Sequence, residues 1–205
     1  MGRDDLQPVS STPAPPAGVD LVLGFVNTRS VLGSPDHLRD VDAMRGWAAR
    51  THLLDPATLI SDSDVATARE IRGAFAVLLL AHTGIHGNDE QAIEHAETYL
   101  ARAAALHPVA PLISVNSSRW TPTQPGVAGL FGTLLATVAQ TASTSEWKRL
   151  KACANHACYT GFLDKTKNSS ALYCSTSCSS QMTSRAYRKR HTAGTPVATA
   201  TDTKS

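Results

Sequence analysis

All four cysteines of the chain fall between positions 153 and 178, as Cys153-x4-Cys158, a fifteen-residue spacer, and Cys174-x3-Cys178. Two close thiol pairs joined by a short polar loop can each give two sulfurs to one tetrahedral ion without straining the backbone. The spacing predicts a single zinc ion held by Cys153, Cys158, Cys174 and Cys178. The alternatives are two disulfides or four unconnected thiols. Met1 to Gly18 is rich in Pro and Ser and lacks the apolar segment of an export signal, so the expected compartment is the cytoplasm, where disulfides are rare.

Four thiolates fill a tetrahedral zinc, leaving no position for water or substrate. The expected ion is therefore structural, and metal-assisted hydrolysis is not expected. His156 and His191 are possible replacement ligands, more simply read as loop and tail histidines. A unit of about forty residues cannot stabilise itself by core burial, so the ion must contribute; zinc-finger binding energies are roughly 10–16 kcal/mol.

The charge around this unit is uneven. Residues 141–205 hold ten Lys/Arg against three acids, a balance of +7, while residues 1–140 hold nine against fourteen, a balance of −5; the whole chain carries +2. The stretch Cys174–Arg190 has no Pro or Gly and predicts a helix entered at the second cysteine pair. Arg185, Arg188 and Lys189 then stand at i, i+3 and i+4 within roughly 100° of one another, with Arg190 just beyond. Lys165 and Lys167 on the spacer, and Lys148, Arg149 and Lys151 before it, complete a basic shell. Such a shell is the electrostatic footprint of a phosphate-contacting surface and makes double-stranded DNA the expected partner. The plainer reading is that these cations solvate a helix end and complement its dipole.

The elements that must position this unit lie before it. With 42% hydrophobic but only 5% aromatic residues in 205, the core must be mainly aliphatic. Val19–Thr28 is a short apolar run, ambiguous between strand and helix. Leu38, Val41, Met44, Trp47 and Ala48 make a helical face over residues 36–49. Ser61-x-x-Asp64 is a capping box ahead of Val65, Ala68, Ile71, Phe75, Leu78 and Leu79, and Asn88-x-x-Gln91 repeats the device ahead of Ile93, Ala96, Leu100 and Ala103. Residues 112–115 and 119–121 predict one short hairpin turning at 116–118. Val127, Leu130, Phe131, Leu134, Leu135 and Val138 define a helix to about Ser145, after which Trp147–Leu150 leads into the first cysteine pair. The fold class is mainly α with a short β-hairpin (α+β), followed by a small four-cysteine zinc module of treble-clef-like type, a zinc knuckle plus helix. No internal repeat and no membrane span is present in the sequence.

Enzyme chemistry finds little support. No cysteine lies outside the zinc unit, and His37, His52, His82, His86, His95 and His107 form no H-E-x-x-H motif. His82 and His86 are one helical turn apart, and a helical hairpin would bring His95 near them as a metal or acid/base cluster; solvated helix ends account for the arrangement more simply.

Several segments resemble a bacterial family, the CGNR zinc-finger proteins with an N-terminal ABATE domain, described as stress-induced transcription regulators. In the finger these are Arg149-Leu-Lys-Ala-Cys153, Cys158, Phe162-x-Asp164-x-Thr166-Lys-Asn168, Tyr173-Cys174, Cys178 and the basic stretch Arg185–Arg190; in the body they are Leu23-Gly-Phe-Val-Asn27-Thr28, Trp47 and Ile71-Arg72-x-Ala-Phe75. The resemblance implies a body that acts as sensor or assembly domain, with Asn27, Thr28 and Arg72 as a candidate polar site for an unidentified effector. Otherwise Asn27 and Thr28 cap a turn and Arg72 makes an internal salt bridge. The chain departs from the family at Cys178-Ser179-Ser180-Gln181, where the name-giving motif has Cys-Gly-Asn-Arg. Gly to Ser removes backbone freedom, and Arg to Gln removes a charge and a bidentate donor beside the metal.

The expected organisation is a disordered tail over 1–18, an ABATE-like domain over 19–146, a CGNR-like finger over 147–191 and a disordered tail over 192–205. The leading function is a DNA-binding transcription regulator; the alternatives are a zinc-stapled protein-interaction module and, behind it, an enzyme with its site in the N-terminal domain. One small finger rarely reaches high specificity alone, which makes a homodimer plausible.

Overall fold

In a computed structural model, residues 18–30, 33–84 and 89–192 are described. Of the expected tails over 1–18 and 192–205, Gly18 and Thr192 instead end helices, and the rest, with His86 and Asn88, lies outside the described residues. Among the described residues, six helices and two antiparallel hairpins follow one another: α1 (Gly18–Val26), α2 (Val41–Arg50), α3 (Asp62–Ala81), α4 (Glu90–Leu106), β1 (Val109–Ile113), β2 (Ser118–Pro122), α5 (Gly126–Ala142), a 3-10 turn (Trp147–Arg149), β3 (Leu150–Ala152), β4 (Gly161–Leu163) and α6 (Thr176–Thr192).

The ambiguous opening run is a helix. Leu21, Val22, Phe25 and Val26 are buried at helical spacing, and the Phe25 ring sits 5.7 Å from Trp47 and 6.1 Å from Phe75. Helix α2 starts later than its apolar pattern suggested, because Asp40 accepts from Ala43 N–H as the N-cap. Asp36 instead closes a turn onto Leu38 N–H at 2.7 Å, which still buries Leu38. The Ser61/Asp64 capping box ahead of α3 is present in both directions. The cap of α4 is Asp89, which accepts from Ala92 N–H, one residue beyond the expected Asn88.

The first hairpin extends further toward its base than expected and turns at Ser114–Ser117, where Ser114 N–H donates to Ser117 O at 2.8 Å. It lies against α5 at two glycines. A Cβ on Gly129 would stand 2.4 Å from the Gln124 carbonyl oxygen, and one on Gly132 would stand 3.0 Å from that of His107. Only glycine lets the strand ends approach so closely.

The C-terminal unit does not simply hang from α5. Leu150 and Ala152 of β3 belong to the same apolar core as α1, α3 and α5, and Leu150 is fully buried. Gly161 of β4 meets α1 so closely that a Cβ there would stand 3.2 Å from Leu23 and 3.3 Å from Val26.

Candidate metal centre and nucleic-acid interface

The strands β3 and β4 pair as Leu150↔Leu163, Lys151↔Phe162 and Ala152↔Gly161. The turn between them is the first cysteine pair. It is shaped by Asn155, whose carbonyl accepts from Cys158 N–H at 2.7 Å and from Tyr159 N–H at 3.2 Å. Thr160 O accepts from Cys153 N–H at 2.8 Å. The second pair straddles a helix start. Ser175 Oγ accepts from Cys178 N–H at 3.3 Å, so Ser175 is the N-cap of α6, Cys174 precedes it and Cys178 occupies the first turn. Hence α6 begins at Thr176 and not at Cys174.

This arrangement brings the four thiol sulfurs within 4.8 Å of one another, with Cys158 to Cys174 at 3.6 Å and Cys174 to Cys178 at 3.8 Å. Zinc–sulfur bonds of about 2.3 Å in a tetrahedron set sulfurs about 3.8 Å apart, so the set fits zinc. Disulfide sulfurs lie about 2.05 Å apart, and all four cysteines are free. One structural zinc is the cofactor the four cysteines are built to bind. Burial pushes the Cys153 and Cys174 thiols up. At Cys178 burial acts the same way, but hydrogen bonds involving Asn155 and Ser175 outweigh it and bring the thiol down. A bound dication deprotonates coordinating thiols outright and makes four adjacent thiolates tenable.

Neither replacement histidine joins the set. His156 Nδ1 is 2.7 Å from the Tyr159 hydroxyl, and the His191 ring lies tilted against that of Tyr187, 4.2 Å between centroids. Among the described residues the four cysteines are the one His/Cys/Asp/Glu cluster suited to a metal.

The basic shell is thinner than the sequence suggested. Lys151 is buried, its ammonium 2.8 Å from Asp164 Oδ2 and donating to the Ser169 and Ala171 carbonyls. Arg149 donates to the Asp164 and Thr166 carbonyls. Both are structural because the spacer loop must be held against β3. At Asp164 burial alone would raise the carboxyl, but Lys151, Thr166 and the Ala171 N–H hold it well below the usual carboxylate range. Lys148, Lys165 and Lys167 are exposed.

On α6, every side chain from Thr183 to His191 is exposed, Arg185, Arg188, Lys189 and Arg190 included. A groove of about 370 Å³ runs along one face, lined by Ser177, Ser180, Gln181, Ser184, Arg185 and Arg188. Sequence reasoning missed the hub beneath it. Asn155 is 1% exposed; its Nδ2 donates to Gln181 Oε1 at 3.1 Å, and its Oδ1 accepts from Arg185 at 3.3 Å and from Ala157 N–H at 3.2 Å. The signal available was an Asn two residues after a cysteine ligand, where a side-chain turn is favoured.

In the body, Asn27, Thr28 and Arg72 direct their polar groups inward. The Asn27 amide holds both backbone groups of Gly161, Thr28 Oγ1 donates to Phe25 O at 2.7 Å, and Arg72 forms a two-pronged pair with Asp36 at 2.7 and 2.8 Å while reaching Thr28 Oγ1 at 3.1 Å. His82 is a half-buried contact and not a solvated helix end. Its Nδ1 is 2.7 Å from Leu150 O and its ring stands edge-on to Trp147 at 4.9 Å. Among the described residues no helix is long and apolar enough to cross a membrane.

Residues 19–144 match the family model ABATE, described as "Putative stress-induced transcription regulator", and residues 149–191 match the CGNR zinc finger. The first covers well over half of the chain. No curated protein matches it.

Proposed function

The chain belongs to the ABATE family and carries a CGNR zinc finger at its C-terminal end, and from that premise we propose that it is a transcription regulator that binds double-stranded DNA through α6. The observation that carries this reading is the exposure of α6 beyond the zinc site. A helix that buries no apolar face and gathers Arg185, Arg188, Lys189 and Arg190 is stabilised at its root by the metal, leaving its outer turns to meet a polyanion. Arg188 and Arg185 share the groove with the hydroxyls of Ser177, Ser180 and Ser184, donors suited to phosphate oxygens and base edges. Lys165 and Lys167 extend the positive surface along the spacer loop.

The body is the sensor or assembly domain in this scheme. Leu150 in its core and Asn27 on Gly161 fix the finger to it, so a displacement of α1 reaches the knuckle directly.

Duplex DNA binding by the zinc-loaded protein, followed against salt, tests the proposal. Affinity should fall with salt, and the triple Arg185/Arg188/Lys189→Ala variant should bind weakly, with a slope shallower by about 0.9 for each phosphate that it no longer neutralises. Salt-independent binding, or an unaffected triple variant, would overturn it. A stoichiometric acidic protein co-purifying in place of nucleic acid would replace DNA with a protein partner.

A further inference from the structure

The first hairpin shows an apolar face to solvent. In its register Val109↔Pro122, Pro111↔Trp120 and Ile113↔Ser118 share one side, and this side leans over α5. Exposure rises along it toward the tip: Val109 is half-buried, Trp120 is 48% exposed, Ile113 77% and Val115 in the turn 100%. At the base, Val109, Trp120, Ala136 and Ala139, with Gln140 and Ser143, line a groove of about 320 Å³ between the hairpin and the second half of α5. One continuous surface thus offers an apolar protrusion and an apolar recess.

The free edges of the hairpin are guarded. Thr123 N–H bonds Pro108 O and Ser114 N–H bonds Ser117 O, so the 109/122, 111/120 and 113/118 pairs turn their backbone groups outward. Pro111 on one edge and Pro122 on the other therefore remove outward donors, which discourages strand addition. Docking must use the face.

We infer that this face is where two copies of the chain associate, the hairpin tip of each, Ile113 and Val115, seating in the Trp120–α5 groove of the other. Protrusion and recess on the same surface are what a two-fold, isologous contact requires. Pro111, Ile113, Val115 and Trp120 expose on the order of 500 Å² per copy, taking aromatic side chains at about 150–250 Å² and aliphatic ones somewhat lower. A symmetric pair then buries about 1,000 Å², the lower bound of a specific interface. No residue on this face is charged, so a charged partner gains nothing from it. The chain's own ends are poor occupants: residues 1–17 contribute Met1, Leu6 and Val9, and residues 193–205 only Val197, as large apolar side chains. The inference does not depend on DNA binding, although a two-fold pair would carry two α6 helices.

Sedimentation equilibrium of the zinc-loaded full chain in the micromolar range tests it. The expected result is a reversible dimer whose dissociation constant rises at least tenfold in Val115→Asp and in Ile113→Asp, with zinc content and far-UV circular dichroism unchanged. Val115 is fully exposed, so its substitution cannot act by unfolding the monomer. A monomer throughout the range overturns the inference, as does a dimer indifferent to both substitutions. Deletion of residues 1–17 should leave the association unchanged; a dimer that forms only after this deletion would show that the tail, and not a second copy, covers the face.

Discussion

The Asn27 side chain occupies both backbone groups of Gly161, 134 positions later: Nδ2 donates to Gly161 O at 3.0 Å and Oδ1 accepts from Gly161 N–H at 2.7 Å. It thus acts as one more rung beside β4 and ties α1 to the finger. Because Gly161 is buried, Asn27→Ala leaves a donor and an acceptor unpaired, at about 1–3 kcal/mol each. Chemical denaturation should show a loss of about 2–6 kcal/mol, and Asn27→Asp should not recover it, because a carboxylate oxygen then faces the Gly161 carbonyl in place of a donor. A change below half a kcal/mol would mean that water replaces the clasp.

Zinc content should be one per chain, and serine at Cys153, Cys158, Cys174 or Cys178 should abolish it in elemental analysis. Because Leu150 and Ala152 share the body's core, chelation should do more than melt α6. We expect the thermal transition of the whole chain to shift down after chelation, as linkage requires for a metal bound only by the folded state. A body transition unmoved by chelation would show that the two units unfold separately.

Lys151 and Asp164 form an ion pair hidden from solvent, with side-chain exposures of 3% and 0%. Removing one partner strands a buried charge, so Lys151→Met and Asp164→Asn should each cost about 3–5 kcal/mol, and the double substitution less than their sum. The Asp164 carboxyl lies below its unfolded value, so its contribution is full above about pH 4 and is lost as pH falls from there toward the folded value. Urea midpoints of the wild type should therefore drop in that window more steeply than those of the double variant.

His82 gives a second, milder pH dependence. Burial lowers its imidazole; the Leu150 carbonyl opposes this, and Lys151 and Lys148 add to the lowering. The unfolded chain therefore takes up the proton first. The stabilising contribution is complete above about pH 6.5 and is lost as pH falls below it. His82→Asn keeps a donor for Leu150 O without a titrating ring. Its stability should change less than that of the wild type between about pH 7.5 and 5.5; equal slopes would remove His82 as the cause.

What the sequence disclosed and what it hid divide along one physical line. The four cysteines, the Ser61 capping box and the apolar stripes of α3 and α5 are local patterns, fixed by residues within a few turns of one another. Asn27 and Gly161, His82 and Leu150, and Arg72 and Asp36 meet only once the chain has closed loops of tens to more than a hundred residues, and no local pattern marks them. Lys151 misled for the same reason, since a lysine beside Lys148 and Arg149 reads as surface charge until Asp164 is seen opposite. The hairpin ends differ from expectation because Pro111 and Pro122 fit strands whose N–H positions face outward.

Gln181 stands where the family's motif has arginine, and its Oε1 is the acceptor for Asn155 Nδ2. Two effects follow from Gln181→Arg, and they can be measured apart. Loss of the acceptor, with a second cation four residues before Arg185, should lower stability by about 1 kcal/mol. The new guanidinium lies in the α6 groove beside Ser180, Ser184 and Arg188. There it should raise duplex affinity and steepen the salt slope by about 0.9, the effect of neutralising one more phosphate. Gln181→Ala should reproduce the stability loss with the slope of the wild type. An unchanged slope in Gln181→Arg would mean that this face of α6 points away from DNA, and the DNA-binding surface would then have to be sought among Lys189, Arg190 and the spacer lysines.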